Sequence, residues 1–171
     1  MEPRILTPDQ IALLRFMGKN RTLRERFYLT GGTPLAAFYL HHRYSEDLDF
    51  FSEQEIDLVG LNVFMQELRG KFDIQKIDFQ QSFNRNLFFL HLKSGVLKTE
   101  FTYFPFPRIE IGATQFDLPV DSLFDIAVNK LFTIYQRTQA RDYMDLYCIC
   151  RKTGYRIGDL IKKAKIGRAH V

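Results

Sequence analysis

The feature that most limits what this chain can fold into is a pair of short apolar segments with one short helix between them. The first, Phe27 to Leu29, runs straight into Thr30-Gly31-Gly32-Thr33-Pro34, and the second begins at Asp47-Leu48-Asp49. Thr33 reads as a helix N-cap and Pro34 as the first helical residue, with Leu35 to His41 carrying the helix on. Arg43-Tyr44-Ser45-Glu46 then turns the chain into a strand over Asp47 to Phe51. Gly31 and Gly32 have no Cβ, so a ligand can approach their backbone, and the helix start leaves N–H groups unpaired. Such a place suits a phosphate, although the same pattern also serves as a plain strand-to-helix turn. Asp47 and Asp49, one residue apart in a strand, emerge on one face. Two ionised carboxylates there repel unless one is protonated or a cation lies between them. Mg²⁺ accepts that arrangement when substrate phosphates complete its shell. Read without a ligand, the same two acids are a solvated strand end.

The remaining chain predicts a mixed fold. Thr7-Pro8-Asp9-Gln10 reads as a capping box opening a helix near Pro8 to Met17. Ile56 to Leu68 has helical apolar spacing and ends near Gly70, whereas Phe72 to Phe79 and Leu87 to Leu92 alternate as strands. Lys93-Ser94-Gly95 turns the chain back into Val96 to Tyr103, the second arm of a hairpin. Phe104-Pro105-Phe106-Pro107 leads through a possible short strand to a block that is helical from Ser122 onward. Strands in the first two-thirds and helices in the last third give an α+β class, with a mixed or antiparallel sheet covered by helices. At 171 residues, one domain is expected, with a sheet-containing part to about residue 112 and a helical segment over about 121–165. Lys165 to Val171 lack a packing pattern that closes a fold, so the chain reads as C-terminally truncated or as ending in a foreign tail.

Several function classes fall away. No apolar run approaches the roughly 20 residues of a membrane span, and Arg15 interrupts the only N-terminal candidate for a signal peptide, which points to the cytoplasm. Cys148 and Cys150 are two apart in a helical stretch and match neither a redox pair nor a zinc knuckle; His41, His42, His91 and His170 lack ligand spacing for zinc. The net charge of +4 is concentrated at the end, where seven Lys/Arg follow residue 150 against the single Asp159. A basic end can hold a nucleic-acid backbone, and a solvated helix face gives the same pattern.

Together, Tyr28 to Thr33, Arg43 to Phe50, Asp125-Ile126-Ala127-Val128-Asn129-Lys130-Leu131, Arg137 and Arg141-Asp142-Tyr143-Met144-Asp145-Leu146-Tyr147 resemble the AbiEii nucleotidyltransferases, the toxins of type IV toxin–antitoxin systems. The resemblance runs from about Phe27 to Tyr147. It implies a polymerase beta-like nucleotidyltransferase fold. It also implies nucleotide binding at Gly31, Gly32, Thr33, Ser45 and Lys130, and Mg²⁺ (or Mn²⁺) at Asp47, Asp49 and Glu100. The superfamily adds a third carboxylate from a later strand. The candidate is Glu100, which shares the polar face of its strand with Lys98 and Thr102. Asp is expected at that point, and with Glu either the strand is set back or the position faces solvent. Gly32-Thr33 stands where many relatives have Gly-Ser, and the hydroxyl is kept.

For Lys130 and the Arg-Asp-x-x-Asp segment, residue spacing leaves two readings. Ile126, Ala127 and Ile134 flank Lys130, so its ammonium either snorkels to water or reaches phosphate in a cleft. Arg141, Asp142 and Asp145 share a helical face; an Arg141–Asp145 pair would be ordinary surface electrostatics, whereas the resemblance makes these residues, with Arg43, supports of the site. The resemblance thus implies Mg²⁺-dependent transfer of a nucleotide from an NTP to an acceptor hydroxyl, with tRNA or other RNA as acceptor and a cognate antitoxin as partner. Two other readings fit the same residues: transfer to a small molecule or protein side chain, and a non-catalytic nucleotide-binding module.

Overall fold

The computed structural model describes residues 5–168, with side chains to residue 164. The expectations for His170 and for the closing residues 169–171 lie outside the described residues. Helix α1 (Pro8–Lys19) is followed by α2 (Arg21–Arg26) and strand β1 (Tyr28–Thr30). A single α-turn, α3 (Gly32–Pro34), continues as a π-helical segment, Leu35–Leu40. Strand β2 (Leu48–Ser52), helix α4 (Leu58–Lys71) and strands β3 (Lys76–Ser82), β4 (Arg85–Leu92) and β5 (Gly95–Tyr103) follow. The short strands β6 (Thr114–Gln115) and β7 (Leu118–Pro119) lead to helices α5 (Leu123–Gln136), α6 (Ala140–Thr153) and α7 (Ile157–Arg168).

Five strands form one sheet in the order β1-β2-β5-β4-β3, and β6 and β7 form a separate two-stranded ribbon. All pairs are antiparallel except β2 with β5. The expected mixed sheet and helical last third are thus present. The differences are local. Strand β3 starts at Lys76 instead of Phe72, and α4 starts two residues after Ile56, because the Asp57 carboxylate caps the N–H groups of Val59 and Gly60. A helix end is fixed by the group that satisfies its unpaired N–H donors, and Asp57 does so better than an apolar Ile56.

The start of the second helix also differs from expectation. Gly31, not Thr33, is the N-cap, at φ 82°. Thr33 lies inside the first turn, fully buried, where its hydroxyl donates to the Asp47 carbonyl and sits 2.9 Å from Ser45 Oγ. From Leu35 the ladder widens to i→i+5 bonding, closing with the His41 N–H on the Ala36 carbonyl at 2.9 Å. Such π segments are rare and concentrate at functional sites.

One face of the sheet packs on α1 and α4. Leu48, Phe50, Phe88, Leu90, Leu97 and Phe101 point into it and meet Leu13, Leu14 and Met17 of α1 and Leu61, Phe64, Met65 and Leu68 of α4. A second apolar cluster joins α5, α6 and α7 through Ile126, Val128, Ile149 and Leu160, and takes in Leu35 from the π segment. The helical block is led to the sheet by β7: Val120 bridges Leu29 in parallel, and the Asp121 N–H bonds the Leu29 carbonyl at 2.9 Å.

The capping box of α1 does more than start a helix. Thr7 and Gln10 bond reciprocally, as expected, and the buried Gln10 also sends its Nε2 to the carbonyls of Ser45 (3.1 Å) and Glu46 (2.9 Å). The loop that delivers Asp47 is therefore pinned to α1. Replacing Gln10 with Leu strands both carbonyls and should lower unfolding free energy by about 1–3 kcal/mol. Urea denaturation of the variant would measure this, and an unchanged midpoint would show that the tether is idle.

Candidate active site

The free face of the sheet carries the carboxylates. Asp49 is paired in register with Glu100 on the adjacent parallel strand, and Asp47 precedes Asp49 by one residue pleat. The three acids thus share one face across β2 and β5, the face opposite α1 and α4. Glu100 is buried, which answers the question left open by its extra methylene: it faces the other carboxylates, not solvent. Gly31 closes the site on the β1 side. A Cβ built on it would lie 2.4 Å from Asp49 Oδ2, and its φ of 82° disfavours any side chain. A Cβ on Gly32 would lie 2.5 Å from Arg43 Nη2 and 3.2 Å from Ser45 Oγ. A side chain at either glycine would therefore push on a group of the site, Asp49 at Gly31 and the Asp145-bound Arg43 at Gly32.

The three acids have different surroundings. Asp47 accepts a 2.9 Å bond from Lys98 Nζ. Glu100 is clamped by Arg85, Nε to Oε1 and Nη2 to Oε2 both at 2.7 Å, and Thr102 Oγ1 adds a 2.8 Å bond. Burial pushes the Glu100 carboxyl up, but the Arg85 and Thr102 bonds outweigh it and hold it below the ordinary glutamate value. Among the described residues the Asp49 carboxylate has no hydrogen bond or ion pair of its own. Burial, then repulsion from Glu100 and Asp47, pushes its pKa up to about 6.

Beneath the glycine turn lies a buried ion cluster. Asp145 and Asp142 are fully buried. Asp145 receives Arg43 through two bonds (Nε–Oδ1 2.7 Å, Nη2–Oδ2 2.8 Å), His42 Nε2 at 2.8 Å and Lys130 Nζ at 2.7 Å. Lys130 Nζ also reaches Asp142 Oδ1 at 2.8 Å, and Arg137 Nε lies 3.5 Å from Asp142 Oδ2. Burial pushes the Asp145 carboxyl up, yet Arg43, Lys130 and His42 together drive it well below the carboxylate range. The surface pair Arg141–Asp145 is not formed: Arg141 is exposed, and the buried Asp145 carboxylate is taken up by Arg43, Lys130 and His42 instead. Lys130 does not snorkel to solvent either. It is buried between two aspartates and near enough to Asp49 to lower that residue's pKa.

Sequence reasoning missed Arg85 as a partner of Glu100 and Lys98 as a partner of Asp47. The signal was present. Counting outward from the Lys93-Ser94 turn places Leu92 opposite Gly95, hence Leu87 opposite Glu100 and Arg85 opposite Thr102. Among the described residues no three His, Cys, Asp or Glu side chains form a metal cage by themselves. The acids nevertheless suit a divalent ion that arrives with phosphates, since Asp49 is unpaired and carries repulsion that a cation relieves.

A family model described as "Nucleotidyl transferase AbiEii toxin, Type IV TA system" matches residues 15–169. The chain belongs to this AbiEii family. It is 32% identical over 145 residues to aq_aa25 of Aquifex aeolicus (strain VF5), a protein described only as uncharacterized, covering 81% of this chain. The chain spans 65% of the length of that relative. Among solved structures, JHP933 from Helicobacter pylori superposes with a TM-score of 0.65 at 22% identity, covering 91% of this chain and 69% of that one. The Megavirus polyadenylate synthase gives a TM-score of 0.53 at 17% identity over 88% of this chain and 32% of its own. The fold is that of the polymerase beta-like nucleotidyltransferases. Within the AbiEii framework, the matched segment includes both the carboxylate face and the ion cluster. Among the described residues no helix is long and apolar enough to cross a membrane.

The electrostatics yield two opposed stability effects. Asp49, with its folded pKa raised to about 6, favours the folded state at low pH, and that contribution is lost as pH rises from about 4 through 6. Asp49→Asn should therefore melt higher than the wild-type protein at pH 8 in metal-free buffer, with the gap closing as pH falls below 6. Asp145, with its pKa depressed, contributes stability above about pH 4 that is lost on acidification. Asp145→Ala strands Arg43 and Lys130 and should cost on the order of 3–5 kcal/mol at neutral pH. Thermal melts across pH 4–8 separate the two; a destabilised Asp49→Asn at pH 8 would contradict the charge assignment.

Proposed function

We propose that this protein transfers a nucleotide from an NTP to an acceptor hydroxyl, using Asp47, Asp49 and Glu100 as its carboxylates. One observation carries the reading: among the described residues, Asp49 faces the Gly31 turn and Glu100 without a cation of its own, which leaves a charge that a metal-bound triphosphate would balance. The triphosphate lies along Gly31 and Gly32, whose backbone any Cβ would block. Thr33 and Ser45 hold that turn to the Asp47 carbonyl and to each other, so their hydroxyls shape the nucleotide site instead of gripping phosphate. Arg43 backs Gly32, and the Lys130–Asp142–Asp145 cluster fixes Arg43 and brings positive charge towards the phosphates.

Asp47 and Asp49 would hold Mg²⁺ (or Mn²⁺), which when bound neutralises charge on the phosphates and on the leaving pyrophosphate. Glu100 stands on the acceptor side. The acceptor oxygen attacks the α-phosphorus, its proton passes to Glu100, the bond from the α-phosphorus to the bridging oxygen breaks, and pyrophosphate departs. Arg85 keeps Glu100 ionised and oriented for that role. Positioning supplies much of the acceleration.

The acceptor we infer is RNA, with a tRNA end as the first choice. The family description, a toxin of a type IV system, supports a cytoplasmic protein with a cognate antitoxin as partner. Incubation with Mg²⁺, each labelled NTP and total tRNA should label RNA with the wild-type protein. Asp49→Ala and Asp47→Ala should lose about 10²-fold or more of that labelling, the scale of removing one preorganised electrostatic group. For the wild-type protein, kcat/KM should fall as pH drops through about 6, where free Asp49 takes up its proton. Equal labelling by wild type and both variants would remove the proposed site, and RNA left unlabelled while a protein or small molecule is labelled would replace the acceptor.

A further inference from the structure

The strand register extends the catalytic face beyond the carboxylates. Leu87 lies directly beside Glu100, and Gln80 beside Leu87; one pleat away, Phe89 lies beside Lys98, and Asp78 beside Phe89. Neighbouring strands are roughly 4.8 Å apart, so this surface begins one strand from the acceptor-side carboxylate. Its apolar residues are out of place for a core. Leu87 and Phe89 are half-buried and Val96 is 57% exposed, yet none of the three belongs to either apolar cluster. The Phe89 ring has no aromatic partner among the described residues, whereas its neighbour Phe88, on the opposite face, packs against Phe79 and Phe101. Basic side chains border the strip on three sides: Arg85 toward the hairpin tip, Lys98 on β5, and Lys76 with the His91 imidazole at the far end. Each leans on an acid, Arg85 on Glu100, Lys98 on Asp47, and His91 and Lys76 on Asp78, and each is partly open to solvent.

A partly exposed aromatic ring, flanked by lysine and arginine side chains and continuous with the proposed nucleotidyl-transfer centre, is the combination that single-stranded nucleic acid uses. Bases stack on the ring, and phosphates meet the lysine and arginine heads. We propose that the strip formed by Leu87, Phe89 and Val96 is the acceptor platform, on which the terminal bases of a single-stranded RNA stack so that its 3′-hydroxyl reaches Glu100. The inference rests on the nucleotidyl-transfer reading for the identity of the centre, but its own content is a binding surface. A flat strip suits an unpaired end better than a duplex, because only unstacked bases offer their faces.

The test is binding of a short fluorescein-labelled single-stranded RNA, read by anisotropy, to the wild-type protein, Phe89→Leu and Phe89→Tyr. Both variants keep an apolar residue on the strand, so each is expected to fold, and circular dichroism confirms it. Phe89→Leu should weaken binding by about fivefold to a hundredfold, the span of losing one base–aromatic stack, while Phe89→Tyr retains it. A 4-thiouridine at the 3′ terminus should cross-link to the peptide spanning residues 85–92. Equal binding by all three proteins, or a cross-link elsewhere, overturns the platform. A wild-type protein that ignores RNA also overturns it and leaves the strip to a polypeptide. MgATP affinity is measured in parallel: its absence in the wild-type protein would sink the nucleotidyl-transfer reading, whereas RNA binding lost through Phe89→Leu would still establish the surface.

Discussion

Two cations and an imidazole converge on Asp145. Arg43 comes from the loop before β2, His42 from the end of the π segment and Lys130 from α5, while Asp145 itself belongs to α6. Removing charges from water is expensive, and such a cluster survives only when every member is paired. That condition couples the sheet, the loop and the helical block, whose apolar contacts otherwise divide into two clusters. It also fixes the glycine turn, since the guanidinium that pairs with Asp145 is the group lying against Gly32.

Charge balance then changes across the site. Below the turn, Asp145 is held by Arg43 and Lys130, and Asp142 by Lys130, with Arg137 3.5 Å from the Asp142 Oδ2 that has no hydrogen bond of its own among the described residues. Above it, among the described residues, Asp47 and Glu100 each hold one cation and Asp49 none. The deficit is focused on a single carboxyl, which burial and two like charges push towards neutrality. A carboxyl in that position lowers stability at neutral pH through repulsion that a cation would relieve. Arg85 clamps Glu100 and holds its carboxyl below the ordinary value, Lys98 bonds Asp47, and Lys130 bonds Asp142 and Asp145.

Much of this was legible in the chain. The Gly31-Gly32 turn, the Asp47/Asp49 face and the capping box of Thr7 and Gln10 follow from local steric and hydrogen-bonding rules that need no distant partner. The hairpin of β4 and β5 followed from its turn. Other features were hidden for physical reasons. Thr33 looks like an N-cap by composition, but its hydroxyl has a better acceptor in the Asp47 carbonyl, and Gly31 alone accepts the backbone angle that begins the turn. Arg141 looks like the partner of Asp145 by spacing, but α6 turns Asp145 inward and leaves Arg141 in water.

By itself the sequence determined the order of elements, the α+β class and the two facing motifs, because periodicity, glycine and capping act over a few residues. The tertiary structure alone decided which charges meet. Glu100 lies beside Asp49 because β5 inserts between β2 and β4, and Lys130 meets Asp145 because α5 and α6 pack side by side. Ion pairs between residues up to 102 apart in the chain depend on how sheets and helices close on one another, and no local rule encodes that closure.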